Sequence, residues 1–341
     1  MQIIQRDIRT ISLVATPDSR FVVFSDAHRG DGTGADDFAA NSLIFKCALD
    51  YYLAEGFTLI ELGDAEELWE VKRFDQIYIT HTSIYERLAA FHDSDPAKTR
   101  YIKIWGNHDL YWQDNEAALR RLFPGIVVYE AALLDEHILL WHGHQADPAC
   151  SGVWVRVAKF FVGKFWTGLQ RWGFRDPTRA ANNPGRCDEI DETLHGWATG
   201  GLPDPFGFKK GCHAGLDPAS SLILDSRLRG NDNKIDTIIA GHTHRPVYEN
   251  LSLTERMYLE FNVGTQGIRR KFHPDRAYYN TGSCVHPRCI TGIEITPGKD
   301  GKSAFTLIKW GYAAECAVAT PEAGCGAYTL TIQREELERK N

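Results

Sequence analysis

Asp, Glu, His and Asn gather at the ends of five short apolar runs: FVVFSDAH (21–28), LIELGDAEE (59–67), YIKIWGNHD (101–109), HILLWHGH (137–144) and DTIIAGHTH (236–244). These side chains offer oxygen and nitrogen ligands to divalent cations, and none of the five runs contains Cys. That mix suits a hydrolytic metal centre better than a structural zinc site, which recruits thiolates. Hydrolysis of a phosphate ester needs a nucleophile at neutral pH and neutralisation of an anionic transition state. Two cations ~3.5–4 Å apart supply both, by lowering the pKa of a bridging water and clamping the phosphoryl oxygens. A bridging carboxylate holds such a pair, while neutral His and Asn ligands limit excess negative charge against the substrate.

Each run has the length and composition of a strand followed by a ligand-bearing loop, and sites in open α/β sheets gather at the carboxyl ends of strands. Between the runs, Asp37–Glu55 has helical spacing and stops at Gly56. Ile77–His92 reads as a second helix, and Ala117–Leu122 as a third, ended by Pro124–Gly125. The alternation predicts an α/β fold. It breaks after His144 and resumes at Asp236. Beyond Pro246 the chain reads as β-rich, with strands expected at Met257–Val263, Ala277–Asn280, Cys289–Ile295, Ser303–Trp310 and Tyr328–Gln333, and REELERKN as a solvated tail. The domain reading is a core of 1–150 and 234–341, a helical cap insertion over 151–210, and a surface loop over 211–233.

The chain of 341 residues carries a net charge of −7 and 43% hydrophobic residues. The acidic balance argues against nucleic-acid binding through bulk charge. No uninterrupted apolar run approaches the ~20 residues that span a bilayer. MQIIQRDIRTISLV has an early Arg and Asp and no signal-type core, so a cytoplasmic protein is expected. The eight Cys form no CxxC pair. Cys284 and Cys289 flank His286, a spacing open to a zinc site; the alternative is buried, reduced thiols.

Taken in order, D-x-H (26–28), GD (63–64), GNHD (106–109), HGH (142–144) and GHTH (241–244) resemble the calcineurin-like metallophosphoesterase family. The resemblance covers roughly 20–150 and 236–295. It implies a four-layer α/β/β/α sandwich and a dinuclear centre whose bridging hydroxide is the nucleophile. Asp26, His28 and His244 would hold the first metal, Asp64 would bridge, and Asn107, His142 and His242 would hold the second. His108 would contact phosphate and protonate the leaving oxygen. Glu67 would orient His108, with Glu66 and Asp109 as alternatives. The ions would be Mn, Fe or Zn, with Mn favoured. The stretch GDAEELWE lacks the Arg of the GDxVDRG motif of eukaryotic-type protein phosphatases. Arg29 is the candidate to grip phosphate instead; its alternative is a solvated loop charge. NTGSCVHPR (280–288), with His286, follows the last metal motif and is placed to border the pocket.

Residues 153–175, VWVRVAKFFVGKFWTGLQRWGFR, contain no acid. At ~100° per residue, Trp154, Ala158, Phe161, Phe165, Leu169 and Trp172 share one face and the basic residues another. The segment can pack as a cap, line an apolar channel, or lie on an anionic membrane surface. Its place between the fourth and fifth motifs, and the GHTHRP ending, are similar to UDP-2,3-diacylglucosamine pyrophosphohydrolases, whose third motif is usually GNRD rather than GNHD. Glu189–Trp197 reads as a short second cap helix. Residues 211–233 resemble translated interspersed repeats of bacterial reading frames, so His213, Asp217 and Asp225 are left out of the site. The expectation is a phosphomonoesterase or phosphodiesterase acting on a phosphorylated small molecule. One alternative is a pyrophosphohydrolase acting on a lipid-linked nucleotide at the inner-membrane surface. Another is a non-catalytic binding protein on the same fold.

Overall fold

The computed structural model describes residues 9–94, 99–150, 183–199, 235–246, 278–286, 288–298, 302–312, 321–325 and 328–337. The aromatic basic segment 153–175, the 211–233 stretch and the strand expected at Met257–Val263 lie outside the described residues. So does the membrane contact expected of 153–175.

The described residues form a mixed α/β fold with two mixed sheets. One has five strands in the order β1-β6-β7-β8-β9: β1 Thr10–Leu13, β6 Ala131–Leu134, β7 Ile138–Trp141, β8 Thr237–Ala240 and β9 Tyr278–Asn280. The other has eight, in the order β12-β13-β11-β10-β2-β3-β4-β5: β2 Phe21–Phe24, β3 Thr58–Leu62, β4 Tyr101–Ile104, β5 Val128–Tyr129, β10 Cys289–Pro297, β11 Ser303–Tyr312, β12 Pro321–Cys325 and β13 Tyr328–Leu337. Strands β2, β3 and β4 run parallel, as do β7 and β8. The carboxyl ends of these parallel strands lead into the ligand motifs.

Alternation along the strands builds the core. Phe21 and Val23 of β2, Ile60 and Leu62 of β3, and Ile102 and Ile104 of β4 share one apolar cluster with Ala132, Leu134, Ile138, Leu140 and Ile239 of the five-stranded sheet. The intervening residues Val22, Phe24, Leu59 and Tyr101 face a second cluster, made with Ile44, Phe45, Leu49 and Tyr52 of α1 (Ser42–Ala54) and Ile84, Leu88 and Phe91 of α3 (Thr82–Asp93). On the five-stranded sheet, Leu133, Leu139, Trp141, Ile238 and Tyr278 point the other way, onto Ile190 and Leu194 of α5 (Pro184–Thr199). Strands buried on both faces explain why FVVF of β2 and ILLW of β7 are continuously apolar, while β3 and β4 each bury one charged residue, Glu61 and Lys103.

Several elements differ from the sequence reading. The helix expected at Ile77–His92 is two, α2 (Phe74–Thr80) and α3, broken at His81, whose ring bonds the Asp36 carboxylate at 2.8 Å. The third helix, α4, spans only Ala117–Arg120. Arg334–Leu337, expected in a solvated tail, continue β13 against β11. Helix α5 incorporates the short helix expected at Glu189–Trp197 and seats its apolar face on the core sheet, so the core extends into the span assigned to the cap. Among the described residues, no helix is long and apolar enough to cross a membrane.

Candidate metal centre

The loops after β2, β3, β4, β7 and β8 bring Asp26, His28, Asp64, Asn107, His108, His142, His242 and His244 together, all but His244 buried. Among the described residues four groups of side chains could hold a cation: Asp26 with His28 and His244, Asp64 with His142 and His242, His28 with Asp64 and His108, and Asp147 with Cys150 and His242. The Asp64 Oδ2 atom lies 3.8 Å from His28 Nε2 and 3.1 Å from His142 Nε2, between the first two groups. His28 Nε2 and His244 Nε2 face one another at 3.3 Å. Asp26 Oδ1 is 3.1 Å from His244 Nε2 and 3.9 Å from both His28 Nε2 and His142 Nε2.

Three buried atoms at the centre have no hydrogen-bond partner: Asp26 Oδ1, Asn107 Oδ1 and His142 Nε2. A buried polar atom without a partner is destabilising. Each of these three can offer a lone pair, so the donor set fits a bound metal ion.

The imidazoles are held by their other ring nitrogens. His28 Nδ1 bonds Glu67 Oε2 at 2.9 Å, and His142 Nδ1 donates to the Leu62 carbonyl at 2.9 Å. Both leave Nε2 toward the carboxylates, the arrangement by which outer partners fix a ligand's tautomer. Burial, together with the neighbouring His108, holds His28 down at about 4 against the pull of Glu67, so it is neutral at pH 7. For His142, Asp64 and Asp26 outweigh burial and raise it to about 9. Asp64 is held well below the usual carboxylate range: burial opposes this, but His142 and His108 prevail.

Backbone geometry makes the convergence possible. Asp26, His28, Asp64, His242 and His244 have φ of 52°, 48°, 51°, 67° and 57°. Left-handed backbone is uncommon outside Gly and concentrates at functional sites. Glycines give the ligands room: a Cβ at Gly106 would lie 2.2 Å from Asp64 Oδ1, and one at Gly241 2.5 Å from Asp26 Oδ2. The loops are sewn together by His28 N–H to the Asp64 carbonyl at 2.9 Å and Asp26 N–H to the Gly63 carbonyl at 3.1 Å.

His108 donates its backbone N–H to Asp64 Oδ1 at 2.8 Å and pairs its Nδ1 with Glu67 Oε1 at 2.8 Å. Its ring stacks on Trp69 at 4.5 Å. Burial works against charge on this ring, but Glu67 and Asp64 raise it to about 10. Of the alternative acids, Asp109 instead accepts backbone N–H groups of Asp64, Ala65 and Gly106 at 3.3, 3.0 and 2.6 Å, bracing two ligand loops.

Arg29 does not reach the centre. Its guanidinium is fully buried, bonded to Glu61 at 2.6 and 3.1 Å and to Glu66 at 2.7 Å, 5.3 Å from the Tyr85 ring. Lys103 completes the cluster, 3.1 Å from Glu61 and 2.8 Å from Glu66. Both earlier options for Arg29, phosphate grip and solvated charge, therefore give way to a buried ionic cluster beneath the site. Glu66 is committed to the same cluster, which removes it as a partner for His108.

Cys284, His286 and Cys289 do not form a ligating group among the described residues. Cys284 and Cys289 are buried thiols in no disulfide. His286 is buried, and its Nε2 has no partner. From the NTGSCVHPR stretch, Asn280 Nδ2 donates to the Gly241 carbonyl at 2.6 Å and Thr281 Oγ1 lies 2.6 Å from Ser25 Oγ. A residue that sequence reasoning passed over is Asp147, 2.9 Å from His242 Nε2. The chain matches no known family model and no curated protein sequence.

Proposed function

We propose that this protein is a dinuclear metal-dependent phosphoester hydrolase on a four-layer α/β/β/α sandwich of the calcineurin-like metallophosphoesterase type. The observation that carries the reading is the position of Asp64 Oδ2, between His28 on one side and His142 on the other. Asp26, His28 and His244 would hold the first ion, Asn107, His142 and His242 the second, and Asp64 both. The partnerless lone pairs of Asp26, Asn107 and His142 support that assignment. Bound there, the ions would supply an activated water at neutral pH and charge neutralisation for the phosphoryl oxygens.

His108 is the general acid. Glu67 holds its Nδ1, leaving Nε2 to contact the ester and hand a proton to the departing oxygen. The Glu67 and Asp64 carboxylates keep that proton in place at neutral pH. The stacked Trp69 restrains the ring, so the proton is presented in one direction. A non-catalytic protein on this fold would have no need to retain all seven metal-type side chains and an oriented acid.

The test is hydrolysis of p-nitrophenyl phosphate and its bis-ester by chelated protein, with Mn²⁺, Fe²⁺ or Zn²⁺ restored, beside Asp64→Ala. Metal-restored turnover that the variant lacks is the expected result, and the preferred ester gives the substrate class. Two bound ions with no turnover of either ester would sink the general-hydrolase reading.

A further inference from the structure

Asp147 lies just beyond the HGH motif, fully buried, at the end of the 3-10 turn His144–Ala146. Its Oδ2 is 2.9 Å from His242 Nε2, and its Oδ1 accepts from Arg186 Nε at 2.9 Å. Arg186 Nη2 also pairs with Oδ2, which makes the ion pair two-pronged. Arg186 stands in the first turns of α5, a helix also fastened to the GHTH loop that carries His242, where Asp191 accepts from Thr243 Oγ1 at 3.1 Å. From this geometry we infer that Asp147 is the positioning residue for the second metal's His242, and that Arg186 clamps Asp147 from α5.

The argument follows from imidazole chemistry. A neutral imidazole carries its proton on one nitrogen and a lone pair on the other. A carboxylate at Nε2 keeps the proton there, so Nδ1 is the atom left to ligate. His28 and His142 show the same device in the opposite sense, with Nδ1 occupied and Nε2 left. Without Asp147, His242 can adopt the other tautomer or turn its ring. Without Arg186, Asp147 is a buried carboxylate that has lost its two-pronged cationic partner. Helix α5 thus contributes to a metal site although it carries no ligand.

Asp147 has a competing role. With Cys150 and His242 it forms a further group of ligating side chains, Cys150 Sγ being 3.7 Å from Oδ2. A carboxylate already neutralised by a two-pronged guanidinium is a poor anionic ligand, which favours positioning over coordination.

The inference rests on the dinuclear reading, and the experiment separates the two. Mn²⁺ and Zn²⁺ binding to the full chain is measured by calorimetry and chelator competition for wild type, Asp147→Asn, Arg186→Gln and Cys150→Ser. Wild type binding two ions is expected. Asp147→Asn should weaken one of the two by about 10- to 100-fold and leave the other unchanged. Arg186→Gln should weaken the same ion by a smaller factor, and it serves if Asp147→Asn does not fold. Cys150→Ser should bind as wild type. Wild-type affinity for both ions in Asp147→Asn and Arg186→Gln would overturn the inference while leaving the dinuclear reading intact. Loss of an ion in Cys150→Ser would overturn it in favour of coordination by Asp147. Wild type binding fewer than two ions would sink the dinuclear reading, and the inference with it.

Discussion

His28 and His108 hang from a single carboxylate. Glu67 Oε2 takes the Nδ1 of His28 at 2.9 Å and Oε1 the Nδ1 of His108 at 2.8 Å, and the two rings meet edge to face with centroids 4.6 Å apart. One acid therefore sets the orientation of both a candidate ligand and the candidate proton donor. It is itself held down at about 2, the two imidazoles outweighing its burial.

The two ends of this bridge are expected to separate under mutation. His108→Ala should lower kcat by roughly 10²-fold or more while both ions remain. The loss should be largest for esters with basic leaving groups, which need the proton most. Glu67→Ala should do the same and also weaken the ion held by His28. Metal content together with a leaving-group series reads both, and loss of metal in His108→Ala would remove it from the acid role.

Arg29 is expected to act on stability rather than on substrate. Arg29→Met strands Glu61 and Glu66 without their shared guanidinium, a change of the kind that costs about 3–5 kcal/mol. Denaturant melts should show that loss, with KM of the folded fraction unchanged. A raised KM at wild-type stability would return Arg29 to the phosphate.

Gly106→Ala is expected to damage the centre with a minimal change in chemistry. The added carbon would lie 2.2 Å from Asp64 Oδ1 and 2.8 Å from His142 Cδ2, so the Asp64 carboxylate must move. Overpacking of this kind costs about 1–3 kcal/mol. Second-ion affinity should fall along with the melting temperature.

Asp191 should give the folded state a pH-dependent stability. Burial pushes its carboxyl up from 3.8 to about 7, against the hydroxyls of Tyr278 and Thr243 and the charge of Arg245. Between those values the folded chain keeps a proton that the unfolded chain has released. This contribution is complete below pH 3.8 and is lost as pH rises through about 7, at up to about 1.4 kcal/mol per pH unit. Asp191→Asn should remove that slope, so the stability difference between variant and wild type should change between pH 4.5 and 7 and then level off.

Metal uptake should itself consume a titration. His142 is raised to about 9 in the metal-free chain, and a ligating nitrogen must shed its proton. Affinity for the second ion should therefore rise toward tenfold per pH unit below pH 9, with proton release visible in buffers of different ionisation enthalpy.

Much of the candidate centre was readable because each candidate ligand follows a largely apolar run, and strand ends in a parallel sheet concentrate side chains in space. What was not readable depends on contacts made across the fold. Asp147 sits in HGHQADP with no spacing that marks it; its role appears only when α5 arrives with Arg186. Arg29 adjoins the D-x-H motif, yet its side chain bonds Glu61 and Glu66, partners 32 and 37 residues away. Strands β1 and β6, TISL and AALL, are as short as β2, β4, β7 and β8 but end in no ligand motif that would mark them. The break at His81 is set by a bond to the distant Asp36, which no local helix propensity announces.

The left-handed backbone at Asp26, His28, Asp64, His242 and His244 also shapes what drift could do to this chain. Away from Gly, Asn and Asp, such dihedrals are held at about 1–3 kcal/mol each, so glycine at His28, His242 or His244 would relax the loop it removes from service. A lineage released from the need for turnover would find its easiest route downhill through glycine at those imidazoles. Its descendants should outlast the parent on heating, and glycines in place of histidines would mark where the chemistry had been abandoned.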